Sequence, residues 1–454
     1  MKILVLNGSP KGEYSITLQT VRYLEKINPQ DTFTVLHVGQ RIKALEKDFE
    51  PIIETLTEAD VLLFAYPVYT FMAPSQLHRF IELMKEYNVP VAGKFATQIT
   101  TSKHFYDVTA HRYIQDNCQD MGLKFVRGLS ADMEDLTFPK GQQEARNFWE
   151  HFNWCITNEY YEPCYQRSYT PSYQPVSIPT ASSQTKNGDV VIVTDCAADN
   201  AQLRSMISRF QAVLPIKSRI VNIRKYPLKG GCLGCFHCAT DGTCIYKDGF
   251  DTFLRDSIQT ADAIIYAFSI KDHSMGSIFK MYDDRQFCNG HRTVTMNMPI
   301  GYIISGNLSE EENLRTIVEA RSQVGGNIPA GIATDEFDPN VAIDKLASSL
   351  SYVLDHQYIQ PQNFYGIGGM KIFRDLIYQM QGMMKADHKF FKQHGQYDFP
   401  QKNRGTILKM YLVGALISSP KLKSKMGNSM NEGMIAPYRK VLDTVNQLDA
   451  SVAK

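Results

Sequence analysis

Lys2-Ile3-Leu4-Val5-Leu6-Asn7-Gly8-Ser9-Pro10-Lys11-Gly12-Glu13-Tyr14-Ser15-Ile16-Thr17 opens the chain. The run Ile3 to Leu6 is a short buried strand. It breaks into a loop of small and hydroxylated residues, and a helix starts near Thr17. Strand, loop and helix in this order make a βα unit. A loop that cradles a phosphate needs backbone N–H groups free to point inward, hydroxyl donors, and the positive end of a following helix. Gly8, Ser9, Gly12, Ser15 and Thr17 meet those needs. An ordinary βα turn uses the same residue types, so the loop alone leaves both readings open.

Outward from this unit the same alternation continues. Val61-Leu62-Leu63-Phe64-Ala65 and Phe95-Ala96-Thr97-Gln98-Ile99-Thr100 read as buried parallel strands. Between them, Gln76 to Met84 places Leu77, Phe80, Ile81 and Met84 on one helical face. Short apolar strands alternating with amphipathic helices predict an α/β domain with a doubly wound parallel sheet, ending near Ile156. From Thr157 to Asn187 the chain is rich in Ser, Thr, Tyr, Pro and Gln, with Pro163, Pro171, Pro175 and Pro179 and no period. A linker or surface-hugging strap is expected there.

At Asp189 the pattern restarts. Val190 to Thr194 mirrors Ile3 to Asn7, Ala261 to Ala267 mirrors Glu58 to Ala65, and Ile300 to Ser305 mirrors Phe95 to Thr100. The expected organisation is therefore two tandem α/β domains, 1–156 and 189–353, joined by a linker, 157–188, and followed by a helical C-terminal extension, 354–454. In that extension Met370, Phe373, Ile377, Met380 and Met384 recur every three or four residues, which reads as a packing stripe. Arg374 and Asp375 read as a surface pair or a cap. Further helices are expected around 407–417 and 434–448.

The end of the second strand carries the next clue: Ala65-Tyr66-Pro67-Val68-Tyr69-Thr70-Phe71-Met72-Ala73-Pro74-Ser75. Ligands of doubly wound sheets sit at the carboxyl ends of the strands. Pro67-Val68-Tyr69 offers backbone amides and an aromatic face to a planar ring. The Gly-Ser-Pro-Lys loop with Ser15 and Thr17, followed by Pro-Val-Tyr and Pro-Ser-Gln-Leu, resembles the NADPH-dependent FMN reductase and flavodoxin-like superfamily. The resemblance implies two tandem flavodoxin-like domains. It also implies FMN held by Ser9, Lys11, Ser15, Thr17, Pro67, Val68, Tyr69 and Thr70. A third loop of that family falls at Thr100, Thr101 and Ser102, where this chain lacks the glycines the family prefers. The second domain departs further. Its first loop is Thr194-Asp195-Cys196-Ala197-Ala198-Asp199-Asn200, where Asp195 and Asp199 would repel a phosphate.

Gly231-Cys232-Leu233-Gly234-Cys235-Phe236-His237-Cys238, with Cys244 beyond Asp241-Gly242, gives a C-x2-C-x2-C-x5-C spacing. Four thiols this close suit an iron–sulfur cluster, zinc, or redox-active free thiols. The stretch resembles the compact motif of the iron-sulfur flavoproteins, which implies a 4Fe–4S cluster on Cys232, Cys235, Cys238 and Cys244. One domain then carries the flavin loops and the other the thiols. A relay between them would form within one chain or across a homodimer, and sequence does not choose.

With 454 residues, nine cysteines and a net charge of +1, the chain has the composition of a soluble globular protein. No basic tract points to nucleic acid. The apolar start is too short for a signal peptide, and the longest apolar stretch, Tyr411 to Ser418, is too short to span a bilayer. Scattered cysteines make a poor disulfide framework, so a reducing, cytoplasmic setting is expected. No nucleophilic triad is visible. The expected activity is that of an FMN-dependent NAD(P)H oxidoreductase acting on a small molecule or a redox partner protein. The alternatives are an iron-sulfur flavoprotein serving as an electron carrier, and a protein whose flavin loops are relics.

Overall fold

The computed structural model describes residues 1–164, 173–180, 185–418, 432–439 and 441–443. The first half runs β1 (Lys2–Asn7), α1 (Ile16–Ile27), β2 (Thr32–Leu36), α2 (Val38–Leu45), α3 (Glu50–Glu58), β3 (Val61–Pro67) and α4 (Ser75–Glu86). It continues with β4 (Phe95–Ser102), α5 (Asp107–Asp120), β5 (Lys124–Phe125), β6 (Leu129–Asp132) and α6 (Pro139–Thr157). Its parallel sheet has the order β2-β1-β3-β4-β5, and β6 also pairs with β4. β5 and β6 together act as one edge strand broken at Gly128, where a Cβ would stand 2.2 Å from the Gln98 carbonyl oxygen.

The second half runs β7 (Lys186–Thr194), α7 (Ala201–Val213), β8 (Ile216–Asn222), α8 (His237–Asp241), α9 (Phe250–Phe253), β9 (Ala263–Ser269) and α10 (Gly276–Arg285). β10 (Pro299–Ser305), α11 (Glu312–Val324), β11 (Ile328–Thr334) and α12 (Pro339–His356) follow. The order of its parallel sheet is β8-β7-β9-β10-β11. Counted from the first strand of each half, both orders read 2-1-3-4-5. In that order the chain reverses direction next to the first strand, and the crevice that opens there is where such sheets take ligands.

α13 (Phe364–Gln379) and α14 (Lys385–Gln393) follow, and α15 (Arg404–Ile417) comes last of the longer helices. Residues 1–391 form one compact unit that contains both sheets, and 392–454 form a second. Residues 165–172 and 181–184 of the expected linker, and 419–431, 440 and 444–454 of the expected C-terminal extension, lie outside the described residues. The described 173–180 strap lies on the second sheet's helices, with Arg209 Nη1 donating to the Ser177 carbonyl at 2.6 Å. Among the described residues no helix is long and apolar enough to cross a membrane.

Local sequence explains the helix that matters most. α4 buries Leu77, Phe80, Ile81 and Met84, the predicted face. Each such side chain contributes roughly 1.5–3 kcal/mol on burial. Yet His78, Glu82 and Leu83 are buried as well. α10, the corresponding helix of the second half, covers that other side, and a single apolar core runs through Phe80 and Met84 to Met275, Phe279 and Tyr282. The two halves are thus packed helix against helix, each placing the carboxyl ends of its strands toward the other.

Candidate active site

The first loop is built by Asn7. Its Nδ2 donates to the Gly12 carbonyl at 3.0 Å and its Oδ1 accepts the Ser9 N–H at 3.2 Å. Gly8 N–H donates to the Ala65 carbonyl at 2.8 Å, which ties the loop to β3. Ser15 caps α1, accepting the Leu18 N–H at 3.3 Å. Thr17 Oγ1 lies 2.6 Å from Thr101 Oγ1, so the first and third expected loops meet directly. Gly39 of α2 presses on this loop, and a Cβ there would stand 2.3 Å from the Gly8 carbonyl oxygen. Ser9, Ser15 and Thr17 are all buried hydroxyls, beside a helix start whose first N–H groups lack intrahelical acceptors.

The second loop is a tight turn. Tyr69 and Met72 exchange backbone hydrogen bonds of 2.8 and 3.0 Å, and between them Thr70 and Phe71 both have positive φ, 40° and 71°. Two consecutive non-glycine residues in that region are strained and persist only when their surroundings hold them. Thr109 of α5 donates to the Phe71 carbonyl at 2.6 Å, and the other holding groups come from the second half. Thr70 Oγ1 donates to Asp284 at 2.6 Å, and Lys280 Nζ reaches the Tyr69 carbonyl at 2.9 Å and Thr70 Oγ1 at 2.6 Å. Lys280 and Asp284 are fully buried and form an ion pair with each other. Burial pushes the Asp284 carboxyl above the usual range, against the pull of Lys280.

The cysteine stretch lies over this turn in the same chain. Gly234 has φ +59°, and a Cβ there would stand 1.8 Å from the Tyr69 hydroxyl. Gln76 Nε2 donates to the Cys232 carbonyl at 3.2 Å, and Lys11 Nζ sits 5.6 Å from the Phe236 ring centroid. Arg285 anchors the far end of the stretch, with two hydrogen bonds of 2.9 and 2.8 Å to Asp248 and its Nη2 3.9 Å from Cys244 Sγ. No second copy is needed to bring the cysteine stretch to the Tyr69 loop.

All these parts line one cavity of about 1390 Å³, counted out to its open mouth. Ser9, Lys11, Ser15, Thr17, Pro67, Val68, Tyr69, Thr70, Thr101 and Ser102 border it on one side, and Cys232, Cys235, Cys238 and Cys244 on the other. Its remaining wall was not foreseen: Phe105 from the loop after β4, Phe287 and His291 from the segment after α10, and Ile372, Phe373 and Leu376 from α13. Phe105 and Phe373 stack at 4.3 Å. Phe373, read from its spacing as packing, does pack, but it also faces the cavity. Arg374, read as half of a surface pair, is buried, although it does bond Asp375 at 2.8 Å.

The expected convergence of the four sulfurs on one point is a different matter. Among the described residues no group of three or more His, Cys, Asp or Glu side chains is arranged to hold a metal ion. The sulfurs are drawn instead to local partners: Cys232 Sγ accepts the Gly234 N–H at 3.4 Å and Cys238 Sγ donates to the Phe287 carbonyl at 2.9 Å. Burial pushes the Cys232 thiol up, and the Cys238 thiol up to about 11. As they stand, these thiols share a wall without forming a ligand set, so the donor arrangement does not fit a 4Fe–4S cluster. The buried hydroxyls and flat aromatic walls of the opposite side do fit a flavin mononucleotide.

The corresponding loop of the second half is tied down by side-chain hydrogen bonds and carries Asp195 and Asp199. Asn222 Nδ2 donates to the Cys196 carbonyl at 2.7 Å, and Asn200 caps α7 while donating to Ser269 at 2.9 Å. Burial raises the Asp195 carboxyl to about 6 despite nearby Arg224.

Residues 1–146 match the family model described as a flavodoxin-like fold. The fold is flavodoxin-like. No curated protein matches the chain. Among solved structures, an FMN-dependent NADH-azoreductase from Bacillus anthracis shares 14% identity, with a TM-score of 0.27, over 33% of this chain and 98% of its own. An NADPH-quinone reductase from P. pentosaceus shares 15%, with a TM-score of 0.27, over 34% of this chain and 97% of its own. An NADH:FMN oxidoreductase shares 20%, with a TM-score of 0.29, over 34% of this chain and 88% of its own. At such identities and TM-scores these are likenesses, and the functional reading rests on the cavity.

Proposed function

We propose that the chain is an FMN-dependent NAD(P)H oxidoreductase with one flavin site, in its first half. The observation that carries this reading is the meeting of three loops at the carboxyl ends of β1, β3 and β4 on one walled cavity. Ser9, Ser15 and Thr17, with Lys11 and the start of α1, supply donors and positive charge for a phosphate. Pro67 to Thr70 supply backbone and an aromatic face for the ring. A bound flavin would supply two-electron redox chemistry, taking a hydride from a nicotinamide and passing it to an acceptor. The chain's own residues hold, orient and enclose. The cysteine stretch and α13 roof the site, and the aromatic side chains Phe105, Phe287 and Phe373 keep water from it.

The roof also weighs between an enzyme and an electron carrier. A carrier leaves its flavin edge open to partner proteins. Here the cysteine stretch and α13 wall the cavity beside Tyr69, which favours a small planar substrate entering through the mouth.

Ser9→Asp tests the flavin assignment. A carboxylate in the first loop should expel FMN by charge repulsion while the protein stays folded. Full flavin content in that variant, read from the visible spectrum, would remove the assignment. Iron and sulfide analysis of anaerobically purified protein tests the cluster separately, since stoichiometric iron and sulfide would reinstate a relay.

A further inference from the structure

We propose that His291 donates the proton that completes reduction of the acceptor in this cavity, and that Asp387 of α14 is its positioning residue. This rests on the flavin reading above and adds to it the residue that handles protons.

Asp387 is fully buried in a helix that lies nearly a hundred residues beyond the loop it touches. Its Oδ2 accepts the His291 backbone N–H at 3.2 Å and stands 3.0 Å from His291 Nδ1. Its Oδ1 takes a hydrogen bond from Arg292 Nη1 at 2.9 Å. Gly290 has φ +61°, and a Cβ there would stand 2.3 Å from Asp387 Oδ1, so the loop is folded round the carboxylate. A buried carboxylate needs such partners, and three donors with one full positive charge supply them.

The consequence falls on the imidazole. A carboxylate on Nδ1 keeps a proton there and fixes the ring's orientation. Nε2 then has no hydrogen-bond partner among the described residues, and the ring lines the cavity. Phe287 and Phe373 meet it edge-on, at 5.8 and 4.7 Å, and hold its tilt. A histidine clamped at one nitrogen and open to a substrate cavity at the other is built to exchange a proton.

The chemistry asks for one. A quinone-class acceptor that takes a hydride at one oxygen gains an electron pair and an O–H bond, and is left with negative charge on the other oxygen. One proton from Nε2 of the imidazolium makes the neutral hydroquinone. His291 becomes neutral, keeps Nδ1–H on Asp387, and regains its proton from water. A bound flavin would supply the hydride, with a nicotinamide as its source.

The test compares two acceptors on the intact FMN-loaded protein, reduced with NADH. A benzoquinone needs a proton to accept a hydride, whereas ferricyanide takes single electrons and needs none. In His291→Ala the ratio of quinone to ferricyanide turnover should fall roughly 100-fold, the scale of a lost general acid. His291→Asn keeps a donor for Asp387 and should show the same fall, which carries the test should the alanine variant disturb the loop. Asp387→Asn should fall less, in the same direction, and nitrogen NMR of the flavin-free protein should show the His291 ring losing its fixed Nδ1–H tautomer in that variant; an unchanged tautomer would overturn the role of Asp387. Unsubstituted protein that binds no FMN would overturn the functional reading and this one with it. FMN-loaded variants with an unchanged ratio would overturn the role of His291 alone.

Discussion

Asp284, on α10, accepts the backbone N–H of Ser75, the first residue of α4, at 2.8 Å. The relationship is reciprocal. Glu82 of α4 accepts the backbone N–H of Ser277, at the start of α10, at 2.6 Å, and its hydroxyl at 2.7 Å. Each half thus satisfies the helix start of the other with a buried carboxylate. Asp284 also holds Thr70, so the contact that joins the halves shapes the Tyr69 loop.

Asp284→Ala should therefore cost both stability and flavin. It leaves buried Lys280 with only the more distant carboxylate of Asp283, at 3.7 Å, a loss of about 3 kcal/mol. It also frees the strained Thr70–Phe71 turn. Urea unfolding and FMN titration read the two effects. A stable variant with undiminished FMN affinity would mean that the turn is held by something else.

Gly234→Ala should be destabilising although only a methyl is added. The backbone there is left-handed, and the methyl meets the Tyr69 hydroxyl. Overpacking of this kind costs about 1–3 kcal/mol. The cysteine stretch should lift from the Tyr69 loop and weaken FMN binding. Gly382→Ala, whose Cβ meets nothing within 4 Å, serves as the control.

The joint between the halves should loosen in mild alkali. Burial works to lower the His273 imidazole, but Asp120 of the first half and Glu311 outweigh it and raise it to about 9. A group raised in this way stabilises fully below its unfolded value, near 6.5, and the contribution fades as pH climbs through about 9. Solvent at half-exposed Asp120 reduces the contribution to about 1–2 kcal/mol. Thermal melts from pH 6.5 to 9.5 should show this loss, and His273→Gln should flatten it. An equal slope in both proteins would place the titration elsewhere.

Alkylation should map the cysteine wall. Cys235 is exposed at the cavity, whereas Cys232 and Cys238 are partly covered and bonded to backbone. Iodoacetamide followed by peptide mass spectrometry should mark Cys235 before either of them, and FMN should slow it. Marking of Cys235 at the same rate with and without FMN would separate the cysteine stretch from the flavin site.

Particular residues show what a sequence can and cannot tell here. Val61 to Ala65 and Ile264 to Ala267 are covered on both faces, so they are uninterrupted apolar runs and read plainly as strands. Ser9, Ser15, Thr17 and the Pro67–Thr70 turn were legible because each loop is local. The buried Glu82 was not, because the helix that covers it comes some two hundred residues later. His291 and Asp387 had no spacing to betray them, since their contact exists only after both halves and α14 have packed. The cysteine spacing placed four thiols on one wall, but their sulfurs answer to the neighbouring backbone, which spacing does not encode.

The carboxylate-bearing loop from Thr194 to Asn200 has a consequence for how such a chain can change over generations. In a symmetric pair of identical subunits every substitution appears twice, once at each site, and an alteration that ruins a pocket ruins both. Joining the two halves in one polypeptide removes that constraint. One loop can carry carboxylates such as Asp195 and Asp199 while the other keeps its hydroxyls. The second half still serves as architecture, because Lys280, Asp284 and the cysteine stretch brace its neighbour.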